Sequence, residues 1–125
     1  MRTAILLIAH GSRRAEANRD LVHVQRELQA RCPDDVVEIA YLELATPTIP
    51  EGARRCVDAG VSEVRMLPYF LSAGAHVARD LAQFRREFVV EWPDVTFRLC
   101  PPLGLHPLMV EVLLDRLKEE VPVTT

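Results

Sequence analysis

Short apolar runs alternate along the chain with stretches of helical period, and this alternation predicts the elements. Thr3 to Ala9 is a continuous apolar run, the mark of a strand buried on both faces. From Arg14 to Arg31 the period changes. Ala17, Leu21, Val24 and Leu28 fall on one helical face, and Cys32-Pro33 ends the helix. Val36 to Leu42 predicts a second strand. Thr48 and Glu51 form a capping box with proline in the first turn, which opens a helix burying Ile49, Ala53, Cys56 and Val57 and stopping at Gly60. Val61 to Leu67 reads as a third strand. Val77, Leu81, Phe84 and Phe88 mark a third helix that ends before Trp92-Pro93. Val95 to Leu99 is a fourth strand. Pro107 suits the first position of a last helix, with Val110, Leu113, Leu114 and Leu117 as its expected core face.

The resulting order, βαβαβαβα, predicts an α/β fold: a four-stranded parallel sheet with helices on both faces. The flavodoxin-like order 2-1-3-4 is expected, because strand 1 is the most uniformly apolar and belongs at the centre. Caps, breakers and periods agree with one another.

Composition narrows the class. The 125 residues, 49% hydrophobic and 26% charged, suit one domain spanning 1–125 with a proper core. A net charge of −3 argues against nucleic acid as the main partner. An acidic small molecule remains open, since local arginines can bind one. Cys32, Cys56 and Cys100 are scattered and odd in number, so they are expected to be reduced, mostly buried thiols in a cytoplasmic protein. The N-terminal run is too short for a signal peptide or a membrane span. The tail "VPVTT" is expected to fray.

Candidate chemistry sits where the strands end. Ligands of open parallel sheets bind beyond the carboxyl ends of the strands. In the order 2-1-3, His10, Glu43 and His76 fall on three adjacent strand-end loops. Two imidazoles and a carboxylate suit a divalent transition metal, and they also suit proton transfer. Each also has an ordinary reading. His10 can serve as a loop-bonding group, His76 as a helix cap, and Glu43 as an ion-pair partner for Arg54. His106 is expected to help start the last helix beside Pro107, and His23 to be a solvated residue of the first helix. Arg13, Arg14 and Arg79 lie near strand-end loops, where free backbone N–H groups of helix N-termini also favour anions. Any one of them can be plain surface charge; as a group they suggest an anionic ligand. Gly11-Ser12 makes only a weak phosphate-like turn. Neither GxxxxGKS/T nor GxGxxG occurs, so nothing points to ATP or a dinucleotide.

Four segments carry a resemblance. "AHGSRR", "YLELATPTIPEG", "LPYFLSAGAHVARDL" and "PPLGLHPLMVEVLLDRL" together resemble the CbiX-type sirohydrochlorin chelatases of the class II chelatase superfamily, in particular the short form, the small sirohydrochlorin cobaltochelatases. The resemblance runs through nearly the whole chain in order. Longer members look like two such units fused, so it implies a homodimer. It implies ATP-independent insertion of a divalent metal, Co²⁺ foremost and Fe²⁺ or Ni²⁺ next, into sirohydrochlorin in cobalamin- or siroheme-type biosynthesis. The metal would be a substrate handled by His10, His76 and Glu43. Ser12, Arg13, Arg14, Leu71, Ser72, Ala73, Gly74 and Arg79 would hold the carboxylate-rich ring. Relatives often have a proline and two glycines before the third-loop histidine where this chain reads "SAGAH", which puts the shape of that loop in question.

Metal insertion needs the metal stripped of most of its water, the ring bent and two pyrrole protons removed. Imidazoles bind metal only when neutral, so activity is expected to fall below about pH 6.5. Two rivals use the same residues: a metal or tetrapyrrole carrier without turnover, and a phosphotransfer enzyme of the "RHG" kind. Ala9 stands where that second class needs arginine, which counts against it. A structural half-domain that needs a partner chain is a third, disfavoured by the full set of loop residues.

Overall fold

The computed structural model describes residues 2–122 of the chain. The last three residues of the expected frayed tail lie outside the described residues. Eight elements alternate: β1 (Thr3–Ala9), α1 (Ala15–Arg31), β2 (Val36–Tyr41), α2 (Ile49–Asp58), β3 (Glu63–Pro68), α3 (Ala75–Glu91), β4 (Thr96–Leu99) and α4 (Leu108–Arg116). The strands form one parallel sheet in the order β2-β1-β3-β4, as expected from the sequence. Ala4 pairs with Val36 on one side and Val64 on the other, which aligns the three strand ends Ala9, Tyr41 and Pro68.

The central place of β1 follows from its side chains. Ala4, Leu6, Leu7 and Ile8 are buried, and both faces of the strand meet apolar neighbours. Leu6 and Ile8 face a core built with α2 and α3 from Ile49, Ala53, Cys56, Val64, Met66, Leu81, Phe88 and Phe97. Leu7 faces a smaller core with Leu21 of α1, Ile39 and Tyr41. Each large apolar side chain so buried stabilises the fold by roughly 1.5–3 kcal/mol. Phe88 anchors an aromatic group, with Phe97 at 5.4 Å and Trp92 at 5.5 Å between ring centres.

Local signals acted as the sequence predicts in α2. Thr48 Oγ1 accepts from Glu51 N–H at 3.3 Å and the Glu51 carboxylate accepts from Thr48 N–H at 2.9 Å, closing both halves of the capping box. Such a cap contributes about 1 kcal/mol. Its backbone hydrogen bond holds the Glu51 carboxyl below the usual carboxylate range. On α1, the side chains of Gln25 and Gln29 bond the Val37 carbonyl and N–H, at 2.9 and 3.1 Å, and so cover backbone groups of the edge strand.

Two expectations need correction. Ala17 of α1 is exposed; Leu21 alone is fully buried there, with Val24 and Leu28 half-buried. The larger correction concerns α4. Its expected core face is solvent-exposed: Leu113 at 62% and Leu117 at 80%. Among the described residues α4 packs against no strand and no other helix. The period marked an apolar face correctly, but β4 is only four residues long and α3 already covers it, so the sheet offers that face no seat. The helix also begins one residue later than expected, with Pro107 as its N-cap.

Candidate functional site

The aligned strand ends place four loops at one edge of the sheet: residues 10–14, 42–48, 69–74 and 100–107, called loops 1 to 4. His10 follows β1 directly. Its backbone carbonyl accepts from Glu43 N–H at 3.0 Å, and the Ala9 carbonyl accepts from Leu42 N–H at 2.9 Å. The β1–β2 ladder thus continues past the strands and zips loop 1 to loop 2. Gly11 makes this possible. Its φ is +97°, and a Cβ there would lie 1.8 Å from the Glu43 carbonyl oxygen. No side chain fits in that space.

Residues that sequence reasoning passed over hold loop 1 in place. The Asn18 side chain donates to the Ser12 carbonyl at 2.8 Å and accepts from Ser12 N–H at 3.0 Å. Ser12 Oγ in turn accepts from Arg14 N–H at 3.0 Å. The buried Tyr41 hydroxyl donates to the Asn18 carbonyl at 2.7 Å, and burial pushes its pKa up. Asn18 and Tyr41 reach loop 1 from α1 and β2, so no local spacing could have flagged them. The His10 ring rests on buried Phe70 of loop 3, with centres 5.1 Å apart and planes tilted by 41°. Loop 2 closes back on its own strand through Tyr41 N–H to the Pro47 carbonyl at 2.8 Å, with Leu44 in the left-handed region at φ 65°.

His10 and Glu43 share one open cavity of about 490 Å³. Leu42, Val77 and Phe84 line its apolar part, and Asp80, Gln83 and Glu87 line it from α3. Those three polar residues are additions to the sequence-derived set. Their spacing puts them on one side of α3, beside the Val77–Phe84 face, which is the signal that could have found them. Three carboxylates and one imidazole give the cavity a wall that attracts a cation and repels an anion. Carboxylate groups of a ligand therefore belong outside it.

His76 is the second residue of α3, exposed, and not part of that cavity's lining. It is not a cap: Gly74 holds the N-cap position. Among the described residues no three His, Cys, Asp or Glu side chains stand close enough together to hold one ion. The ordinary reading of Glu43 as partner of Arg54 does not hold, because Arg54 pairs with Glu91 at 3.3 Å and lies over Trp92. His106 does what the sequence suggests: its Nδ1 accepts from Leu108 N–H at 3.1 Å at the start of α4. His23 is exposed on α1.

Of the expected ring-binding residues, Arg13, Arg14, Leu71, Ser72, Gly74 and Arg79 are exposed, and Ser12 and Ala73 half-buried. None of the three arginines forms an ion pair among the described residues. The cysteines are free thiols. Cys56 is inert: burial pushes its pKa up to about 12.

A family model, CbiX, matches residues 4–120, nearly the whole chain. This chain belongs to the CbiX family. The sirohydrochlorin ferrochelatase of Arabidopsis thaliana chloroplasts is 32% identical over 91% of the chain, which covers 51% of that protein. The sirohydrochlorin cobaltochelatase of Methanopyrus kandleri is 24% identical over 93% of the chain and 95% of its own length. The fold superposes on the sirohydrochlorin chelatase SirB of Bacillus subtilis subspecies spizizenii, solved in complex with cobalt, with a TM-score of 0.86 at 29% identity, over 94% of this chain and 50% of that one. The chain thus spans about half the length of the Arabidopsis relative and of SirB. The CbiX match includes all four strand-tip loops.

Proposed function

We propose that this CbiX chain inserts a divalent metal into sirohydrochlorin without ATP. The observation that carries the reading is the juxtaposition of His10 and Glu43 on one acidic cavity at the strand tips of a CbiX fold. The metal is a substrate. His10 accepts it through a neutral imidazole nitrogen, and Glu43 completes its binding or takes a pyrrole proton. Two ligands on the resting cavity leave coordination positions open, which suits an ion that has to be passed on. His76, on the first turn of α3 next to loop 3, completes the set once the ring is bound across the strand tips. Ser12, Arg13, Arg14 and Arg79 fix the carboxylate rim, while Leu71, Ser72, Ala73 and Gly74 lie against the ring.

Cobalt comes first among the metals, because the Methanopyrus relative of matching length bears the cobaltochelatase name. Iron comes second, from the name of the Arabidopsis relative. Imidazole and carboxylate ligands by themselves do not separate the two. The working form is a homodimer, supported by the doubled length of SirB relative to this chain. Free cysteines fit a cytoplasmic setting. No helix among the described residues is long and apolar enough to cross a membrane.

The deciding experiment mixes purified protein with excess Co²⁺ and sirohydrochlorin, without ATP, and follows the absorption spectrum. Many equivalents of metallated product per chain are expected, with Fe²⁺ and Ni²⁺ run alongside. A rate equal to the protein-free control sinks the proposal. Product that stops at one equivalent makes the chain a carrier instead.

A further inference from the structure

Leu44 of loop 2 is, glycines apart, the one residue among the described residues whose backbone enters the left-handed region, at φ 65°. A leucine there is disfavoured, because its Cβ crowds the following carbonyl oxygen. A turn alone calls for glycine or asparagine at such a position. Burial does not offset the strain, since Leu44 is 54% exposed. An apolar side chain is therefore held in water on a strained backbone. Strain of this kind persists only where the surroundings fix it, and it gathers at ligand contacts.

The surroundings here are the bonds that build the cavity edge. Glu43 N–H is held by the His10 carbonyl, and the Glu43 carbonyl lies against Gly11. Tyr41 N–H then draws the chain back through the Pro47 carbonyl. Leu44 sits between these fixed points. The contacts that set Glu43 on the cavity also leave Leu44 in solvent beside it.

We infer that Leu44 is a contact for the face of the tetrapyrrole, paired with Leu71 across His10. The inference rests on the function proposed above and adds a ring contact on loop 2. Sheet order supplies the geometry. Loops 2 and 3 follow β2 and β3, which flank β1 on opposite sides, and neighbouring strands lie about 4.8 Å apart. Leu44 and Leu71 thus stand on loops about 10 Å apart, a span on the scale of a macrocycle, with His10 between them. Leu71 is itself 65% exposed. A hydrated metal ion gains nothing from covering leucine, whereas the hydrocarbon face of a flat ring does. The acidic cavity takes the cation, and the two leucines hold the ring with its centre over His10.

Absorption titration of the full chain with sirohydrochlorin, without metal, tests this. Leu44→Asn keeps a residue that accepts the left-handed backbone and removes the apolar contact. It is expected to weaken ring binding about 10-fold and to raise KM for the ring by the same factor. The kcat is expected to stay unchanged, because Leu44 touches neither the metal nor the pyrrole protons. Its thermal midpoint is expected within about 4 °C of wild type, since relief of strain offsets the loss of a half-covered side chain. Leu44→Met, which keeps an apolar group of similar volume, is expected to bind the ring within about 2-fold of wild type. Unchanged ring affinity in Leu44→Asn overturns the inference and leaves the proposed activity standing. A larger fall in its midpoint means that the leucine serves the fold, and overturns the inference as well. So does a Leu44→Met variant as weak as Leu44→Asn. A wild type that binds the ring through Leu44 yet inserts no metal defeats the proposed activity alone, and one that binds no ring defeats both.

Discussion

Two halves of the strand-tip edge differ in how they are held. At the β2–β1 end, backbone bonds join loop 1 to loop 2, and Asn18 and Tyr41 fasten loop 1 from below. At the β3–β4 end, Leu103 N–H bonds the Phe70 carbonyl at 2.9 Å, but no side-chain hydrogen bond among the described residues holds loop 3. His10 and Glu43 belong to the fastened half. His76 belongs to the open one. On the proposed function, His10 and Glu43 gain from the first arrangement, since their orientation is set before the ion arrives, and His76 has the freedom of the second.

His10→Ala should lower insertion by about 100-fold or more, with the thermal midpoint little changed, because the ring is exposed and removes little buried surface. Equal loss of folding would show that His10 serves the loop rather than the metal. Gly11→Ala should cost about 3 kcal/mol in urea titration, since a methyl at φ +97° meets the Glu43 carbonyl. A neutral outcome would mean that loops 1 and 2 separate easily, and the contrast between the halves would vanish.

Asn18→Ala should cost about 1–2 kcal/mol, through loss of the paired bonds to Ser12. His76→Ala, on the open half, should stay within about 0.5 kcal/mol while lowering insertion. Matching stability losses at the two positions would erase the distinction. The smallest effect lies away from the site, at the α2 cap. The Glu51 carboxyl is held low in the folded chain by its hydrogen bond from Thr48. The unfolded chain therefore binds the proton first as pH falls, and the stability this carboxylate adds is present above its ordinary value of 4.5 and lost below it. Wild type should exceed Glu51→Gln in midpoint at pH 7, and the gap should close by pH 3.

Chain-local patterns made the strands, all four helices and the α2 cap readable, because each is set by period, β-propensity or capping within a few residues. His10, at the end of an apolar strand, was conspicuous for the same reason. Asn18, Tyr41, Asp80, Gln83 and Glu87 were not, since each acts on a neighbour supplied by another element. Amphipathic period identified an apolar face on both α2 and α4. It could not say that Ile49 and Ala53 would meet the sheet while Leu113 and Leu117 would not.

Alone, the order of residues determined which segments extend, which coil and which sides of them avoid water, because those preferences arise from side chains and adjacent backbone. Tertiary structure decided which of those sides find cover within the chain, and which polar groups share a cavity. Both depend on where the sheet ends in space: four strands give α1, α2 and α3 a seat, bring His10 beside Glu43, and leave α4 outside.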